Sequence, residues 1–411
     1  MSVPTMHPLA KTLPVLATLV FLTFPVAMGV ANALTLLLLL AWIFSGNHRA
    51  HWHAIRANPV IMMALLLYGV ILLGASYSAA PAADITLHLT KYAKLLFVAV
   101  LFSILGDRTW QRRCMVAFTA AMLFILASTW MNLWFVLPWS KTQTPGWGLS
   151  HHVFGDYITQ NVMMAFFVLW SLVSAKAQKT VARRAAWLAI ALLAAVSITH
   201  LSDGRSGYLL LATTLLIFVL ATLRGKALWA MLIASVLGLG VTLMSSQSLM
   251  QRFERAAVEA RQSETDNQSS IGHRLYNYRK TPELIMEKPL LGWGTGAYHT
   301  QICRIVEKPE WCPVFNWHPH NQYLFLGADH GMLGILAYLA LMASMVWLAL
   351  RDQDISSRTL LLGLAGLLAV NSLVNSPLWS SRESHFFMFM MALLAARSGL
   401  ALQAEAKSPP A

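Results

Sequence analysis

Apolar runs near 20 residues long recur from one end of the chain to the other, parted by short polar connections. A helix needs about that length to cross roughly 30 Å of hydrocarbon. In lipid every backbone N–H and C=O must be satisfied within the segment, so these runs predict membrane helices. The pattern gives about twelve spans, near residues 13–29, 30–45, 59–76, 87–105, 114–137, 156–174, 185–201, 206–223, 227–245, 321–350, 357–375 and 383–399. One interval interrupts it. From Ser245 to about Gly331 the chain is polar and charged, and arginine, histidine and aromatic residues dominate it. The expected organisation is therefore all-α and polytopic: residues 1–245 as spans one to nine, 246–320 as a helical loop carrying the chemistry, and 321–411 as three further spans with a tail.

Composition strengthens this reading. With 57% hydrophobic and 11% charged residues among 411, a soluble domain is excluded. The first apolar run leads straight into a second without a small-residue cleavage site, which predicts a retained helix in place of a cleaved leader. The tail Ala404–Ala411 is expected to be disordered. A formal net charge of +13 points to anionic partners, but topology accounts for much of it, and a nucleic-acid role is only weakly indicated.

Alternate short loops carry Arg49 and Arg56; Arg108, Arg112 and Arg113; Lys176, Lys179, Arg183 and Arg184; Arg224 and Lys226; and Arg351 and Arg358. The intervening loops hold little beyond Lys141, Arg205 and Arg382. Short-loop Lys/Arg bias sets orientation, so the rich loops are expected inside with both termini, and the long loop outside, in the periplasm of a bacterium. Basic residues are disfavoured there, so Arg205 and Arg382 and the nine basic residues of the long loop include candidates kept for a ligand. Cys303 and Cys312, nine apart in an oxidising compartment, are expected to pair as a loop staple, with free thiols or a metal pair as alternatives. Cys114 reads as a small packing residue.

Candidate chemistry concentrates at four places. Trp317-His318-Pro319-His320-Asn321 precedes a long apolar run, with Asn321 as a plausible N-cap and Pro319 blocking backward extension. His320 would then sit at the positive end of a helix dipole, which keeps the ring neutral and able to accept a proton. The plainer alternative is a pair of interface histidines bonded to loop backbone. Ser202-Asp203-Gly204-Arg205-Ser206-Gly207 reads as a tight turn whose glycines permit an unusual backbone path, fixing Arg205 at phosphate depth beside helix N-terminal N–H groups; a surface pair with Asp203 is the alternative. Gly272 to Lys280 reads as a short amphipathic helix, with Ile271, Leu275 and Tyr278 on one face and an end near Pro282. Arg274 there offers a planar fork to phosphate oxygens unless it only stacks on Tyr278, and Arg279 lies one turn on. Lys91 and Lys94 sit in the outer half of a span, where they either snorkel or serve as further phosphate ligands.

Gly292-Trp293-Gly294-Thr295-Gly296 superficially echoes a dinucleotide fingerprint, but no strand precedes it, and tight turns beneath the loop helix explain it better. A zinc site from His299, His318, His320 and the cysteines lacks a recognised ligand spacing. Neither a metal nor a cofactor is expected.

Three of these segments, in this order, resemble the O-antigen ligase/polymerase superfamily: Ser-Asp-Gly-Arg-Ser-Gly-Tyr before a span, the Arg274 segment leading into Glu-Lys-Pro-Leu-Leu-Gly-Trp-Gly-Thr-Gly, and His-Asn-Gln-Tyr-Leu opening the next span. The resemblance extends from Ser202 to Gly334, and the layout, a long loop late in the chain, agrees with it. It implies a metal-independent, inverting membrane glycosyltransferase of the GT-C kind, sited in the bacterial inner membrane. The donor would be a glycan on undecaprenyl diphosphate and the acceptor the lipid A–core of lipopolysaccharide. It maps the family's arginines onto Arg205 and Arg274 and its essential histidine onto His320. His318, Asn321, Tyr278, Arg279, Lys91 and Lys94 are expected to help hold substrate. His318 is a second histidine candidate, and Asp203 departs from the pattern by partly neutralising Arg205. A polymerase or protein O-glycosyltransferase of the same superfamily stays open, although the short tail argues against the latter. A glycan transporter is also open, although it should carry charges in mid-span.

Overall fold

The computed structural model describes residues 8–46, 48–245, 254, 258 and 269–405. Most of the first part of the expected loop, residues 246–253, 255–257 and 259–268, and residues 406–411 of the tail lie outside the described residues. The described residues form helices without a strand. In chain order these are α1 (Pro8–Thr23), α2 (Met28–Ile43), α3 (His48–Arg56), α4 (Pro59–Ala75), α5 (Ala82–Tyr92), α6 (Lys94–Ile104), α7 (Arg108–Met131), α8 (Tyr157–Ala177), α9 (Val181–His200), α10 (Arg205–Thr222), α11 (Gly225–Ser245), α12 (Ser270–Glu287), α13 (Tyr298–Ile305), α14 (Cys312–Phe315), α15 (Gln322–Arg351), α16 (Ile355–Val374) and α17 (Ser381–Glu405).

Each predicted apolar run coincides with a helix or a broken pair. Among the described residues six single helices and the α5–α6 pair taken as one are long and apolar enough to cross a membrane, making seven spans, or eight if α2 and α3, bent by 111°, also form one. Starts are set by capping chemistry. Asn58, Asp107, Asp156, Ser269, Asn321 and Asp354 each accept a hydrogen bond from a first-turn N–H, satisfying donors the helix cannot. Asp107 caps α7, which starts six residues before the predicted Cys114 side of that span, so its first two turns carry Arg108, Arg112 and Arg113.

The core centres on α17, where every residue from Phe386 to Leu394 is at most 1% exposed. A helix apolar on all sides belongs in the middle of a bundle. Leucines on peripheral helices face outward instead: Leu209, Leu216 and Leu220 of α10 are 45%, 48% and 49% exposed, a surface suited to lipid and costly in water.

Contacts between helix ends show which ends share one side. Asn161 of α8 donates to Ser202 before α10, Gly155 before α8 lies against Arg382 of α17, Asn321 before α15 donates to the carbonyl of Leu373 in α16, and Gly74 of α4 abuts Thr295. The turn at 201–204, the irregular 132–156 segment, the 375–380 connection and the 269–321 insert therefore gather at one end of the bundle.

α15 does not run unbroken. Gly331 adopts φ 59°, ψ −152° in its interior, leaving backbone groups without helical partners at membrane depth. Residues 289–294 fold back to meet them. Trp293 N donates to the Ala328 carbonyl at 3.0 Å and Gly294 N to Asp329 at 2.7 Å, while Met332 N donates to Pro289 at 2.7 Å and Leu333 N to Leu290 at 3.2 Å. Irregular backbone inside a membrane is tolerated only where protein satisfies it in this way. A Cβ on Gly331 would lie 2.5 Å from the Leu290 carbonyl carbon, and one on Gly294 (φ 93°) would overlap Ser78 Cα. The glycine-rich segment thus makes tight turns, as the sequence suggests, and their purpose is to mend a broken helix.

Candidate active site

Above this repair, α12 crosses the gathered end. It runs on through Pro282 to Glu287, beyond the predicted stop. Pro282 removes one N–H donor without ending the helix. The sealed face also differs from the expected one: Gly272, Tyr276, Asn277, Thr281 and Leu284 are buried, while Ile271, Leu275 and Tyr278 are only half-buried. Tyr276 stacks on Phe315 at 4.2 Å between ring centres, and Tyr298 donates to Asn277 at 3.1 Å, which holds α12 on α13 and α14. The disulfide between Cys303 and Cys312 ties those two helices together, as expected, and so removes both sulfurs from any zinc site. Among the described residues no group of three or more His, Cys, Asp or Glu is arranged to hold a metal ion. Cys114 is buried and unpaired with another cysteine.

The histidines converge beside this helix. His320 lies 4.2 Å from His318 and 5.0 Å from His273 between ring centres. Its backbone N donates to His318 Nδ1 at 3.1 Å. Asn321 is the N-cap, its Oδ1 accepting from Tyr323 N and Leu324 N at 3.0 Å each. Between the two, His320 takes φ 52°, the single positive value among described non-glycine residues. Strained backbone of this kind persists where surrounding contacts fix it. Those contacts are visible: Tyr278 Oη donates to the His320 carbonyl at 3.2 Å and also to Leu373, whose carbonyl binds Asn321 Nδ2.

Electrostatics make these rings proton-poor. Burial lowers the pKa of His320 to about 2, of His318 to about 3 and of His273 to about 4. The Arg274 guanidinium adds to the effect on all three, and Lys91 adds to it on His318. A cation flanked by neutral imidazoles binds an anion while leaving ring nitrogens free to accept hydrogen bonds. His320 Nδ1 and His273 Nε2 are sealed from solvent with no hydrogen-bond partner among the described residues.

Of the sequence candidates, His318, His320, Asn321, Tyr278 and Arg274 meet here. Lys91 reaches the same neighbourhood, its Nζ 5.0 Å from the centre of the Trp379 ring and 3.2 Å from Ser381 Oγ. Lys94 Nζ instead donates to the Lys91 carbonyl at 3.1 Å, beside the break at Ala93 between α5 and α6. Arg279 lies on the exposed face of α12. Arg205 begins α10 at the same end. Gly366 of α16 packs against Ile217 and Thr213 of α10, and the two helices run antiparallel. The start of α10 at Arg205 and the end of α16 near Leu373 therefore lie on one side of the bundle. Gly204 has φ −76°, so no unusual path is needed. Both Gly204 and Gly207 are instead small to admit Asn161, whose Nδ2 a Cβ would meet at 2.5 and 2.6 Å.

Sequence reasoning missed His273 and a buried polar group beneath. Asp329 accepts from Gly296 N at 3.2 Å and Tyr298 N at 2.8 Å and lies 3.3 Å from His88, whose Nε2 is 3.4 Å from His299 Nε2. His88 and Asp329 stand inside apolar runs, and that was the available signal. Their ring and carboxylate tie α5, α13 and α15 together under Trp317 and Trp379.

Comparison with known families matches residues 189–339 to the family model described as O-antigen ligase. That segment includes Arg205, Arg274 and His320. No curated protein matches the chain.

Proposed function

With an O-antigen ligase family segment as the premise, we infer that this chain is an inner-membrane glycosyltransferase of the GT-C kind. It moves a glycan from undecaprenyl diphosphate to the lipid A–core on the periplasmic side, through about twelve spans with both termini inside. The observation that supports this best is His320, half-buried in a strained turn and kept neutral, beside Arg274 at the end of the bundle where Arg205 also starts its helix.

The chemistry follows from that arrangement. The acceptor hydroxyl oxygen attacks the anomeric carbon, and the bond from that carbon to the phosphate oxygen breaks. The hydroxyl proton passes to His320, through Nε2, since Nδ1 is sealed from solvent. The electron pair leaves on the diphosphate, and the extra charge is met by Arg274 and Arg205 in a partly dehydrated site. Direct displacement inverts the anomeric centre. His318, Tyr278 and Asn321 hold the turn that presents His320, Lys91 adds positive charge at the donor, and Arg279 and Lys94 are outer contacts of the same substrate. Resident metal is not required, because these steps use guanidinium charge and a neutral base.

The deciding experiment is the lipopolysaccharide profile of a deletion strain. A ligase mutant makes polymer and leaves it on the carrier. A core bearing at most one repeat unit would instead identify a polymerase, and an unchanged profile would defeat both.

A further inference from the structure

At the opposite end of the bundle a cavity of about 630 Å³ lies between the start of α7 and the ends of α8, α15 and α17. That is ample for a small headgroup. Arg108 and Arg112 line it, four residues apart and so on one face of α7. Neither makes an ion pair or hydrogen bond with another described residue. Arg397 is already engaged, its Nη2 3.5 Å from Asp354 Oδ2 and its Nε donating to Ser357 Oγ at 2.6 Å. Asp352 is 4% exposed. Its Oδ1 accepts from Asp354 N at 2.9 Å, while Oδ2 is buried without a partner. A buried carboxylate oxygen left in that state is costly unless a donor comes to it. Among the charged groups lining the cavity, two guanidiniums and one carboxylate oxygen are thus unspent. The wall beside them is apolar: Met115 lies one turn along α7, and Val116, 59% exposed, opens it toward lipid.

We propose that this cavity binds the headgroup of a phosphoethanolamine lipid, with phosphate on Arg108 and Arg112, ammonium on the Asp352 carboxylate once its sealed Oδ2 turns into the cavity, and the first acyl methylenes along Met115 and Val116. Two guanidiniums take phosphate oxygens through charge-assisted bonds. An ammonium supplies both the charge and the N–H donors that Asp352 needs. A trimethylammonium head has charge but no donor, and a glycerol head has donors but no charge. Free phosphate satisfies the arginines and repels Asp352.

The full-length protein, delipidated in detergent, is titrated by native mass spectrometry with phosphatidylethanolamine, phosphatidylglycerol and phosphatidylcholine of identical chains, with and without inorganic phosphate. Phosphatidylethanolamine is expected to bind about tenfold more tightly than either other lipid. Arg108→Gln with Arg112→Gln should remove that binding, the double lysine variant should weaken it less, and Asp352→Asn should abolish the preference while leaving phosphatidylglycerol binding unchanged. Thermal midpoints identify any variant that misfolds, and Asp352→Asn and the lysine pair then decide. Equal binding of the three lipids, a preference surviving Asp352→Asn, or displacement of lipid by inorganic phosphate would each overturn the proposal.

Discussion

At the scale of single residues, His320 and His318 sit in similar surroundings but are held differently. His320 carries the strained backbone and a ring without a hydrogen bond at Nδ1; His318 accepts the His320 backbone N–H. His320→Ala is therefore expected to abolish transfer, a loss of about 10²–10⁴-fold, with thermal stability nearly unchanged. His318→Ala should loosen the turn and cost about tenfold. Turnover assays on the purified variants check this, and the reverse ranking would move the base to His318. The pKa of His320, lowered to about 2 by burial, sets the pH dependence. Its folded value lies below the ordinary one near 6.5, so below about pH 6.5 the unfolded chain binds more protons and stability falls as pH drops. Activity should instead stay flat from pH 8 to about pH 5. An acid limb near pH 6.5 in kcat/KM would show that a different, exposed histidine governs the reaction.

At the scale of elements, the break in α15 and the segment that mends it depend on glycine. Gly331→Ala forces a Cβ onto a left-handed residue and against Leu290, and Gly294→Ala does the same at Ser78. Each should cost on the order of 2–3 kcal/mol. Gly69→Ala in α4, with open space around it, is the control and should be neutral or slightly stabilising. Heat-induced aggregation midpoints of the three proteins in detergent measure the difference. The Cys303–Cys312 bridge closes a short loop, worth about 2–3 kcal/mol by chain entropy. The double serine variant is expected to melt earlier while keeping its turnover at low temperature, since the hydrogen bonds that hold the His320 turn involve neither sulfur.

At the scale of the whole molecule, Arg205 and Arg274 reach one end of the bundle from segments far apart in the chain. If both meet the departing diphosphate, lysine keeps the charge at each position but loses the planar fork. Each arginine-to-lysine change should then cost about 2–4 kcal/mol, roughly 30- to 1,000-fold in rate. The two should be non-additive because they act on one charged group. A double-mutant cycle with an undecaprenyl-diphosphate donor tests this, and clean additivity would assign the arginines to separate sites. EDTA should leave turnover intact, and loss restored by one divalent ion would contradict the proposed chemistry.

The length of the apolar runs alone determined the bundle helices, since in lipid a 20-residue apolar run has one satisfactory backbone solution. The N-cap at Asn321 and the Cys303–Cys312 pair were also legible, because both depend on residues close in sequence. Tertiary structure decided what depends on distant partners. The glycines of residues 292–296 could be read as turns, but their partner is the backbone of α15, some 35 residues on. Gly204 and Gly207 looked like conformational glycines and are small because Asn161 of α8 lies against them. His273 gave no signal of its own beside Arg274. It joins the candidate site because α12 buries Tyr276 and Asn277 and so turns His273 toward His320. Short-range chemistry can be read from one stretch of chain; close approach between stretches is fixed only when the helices pack.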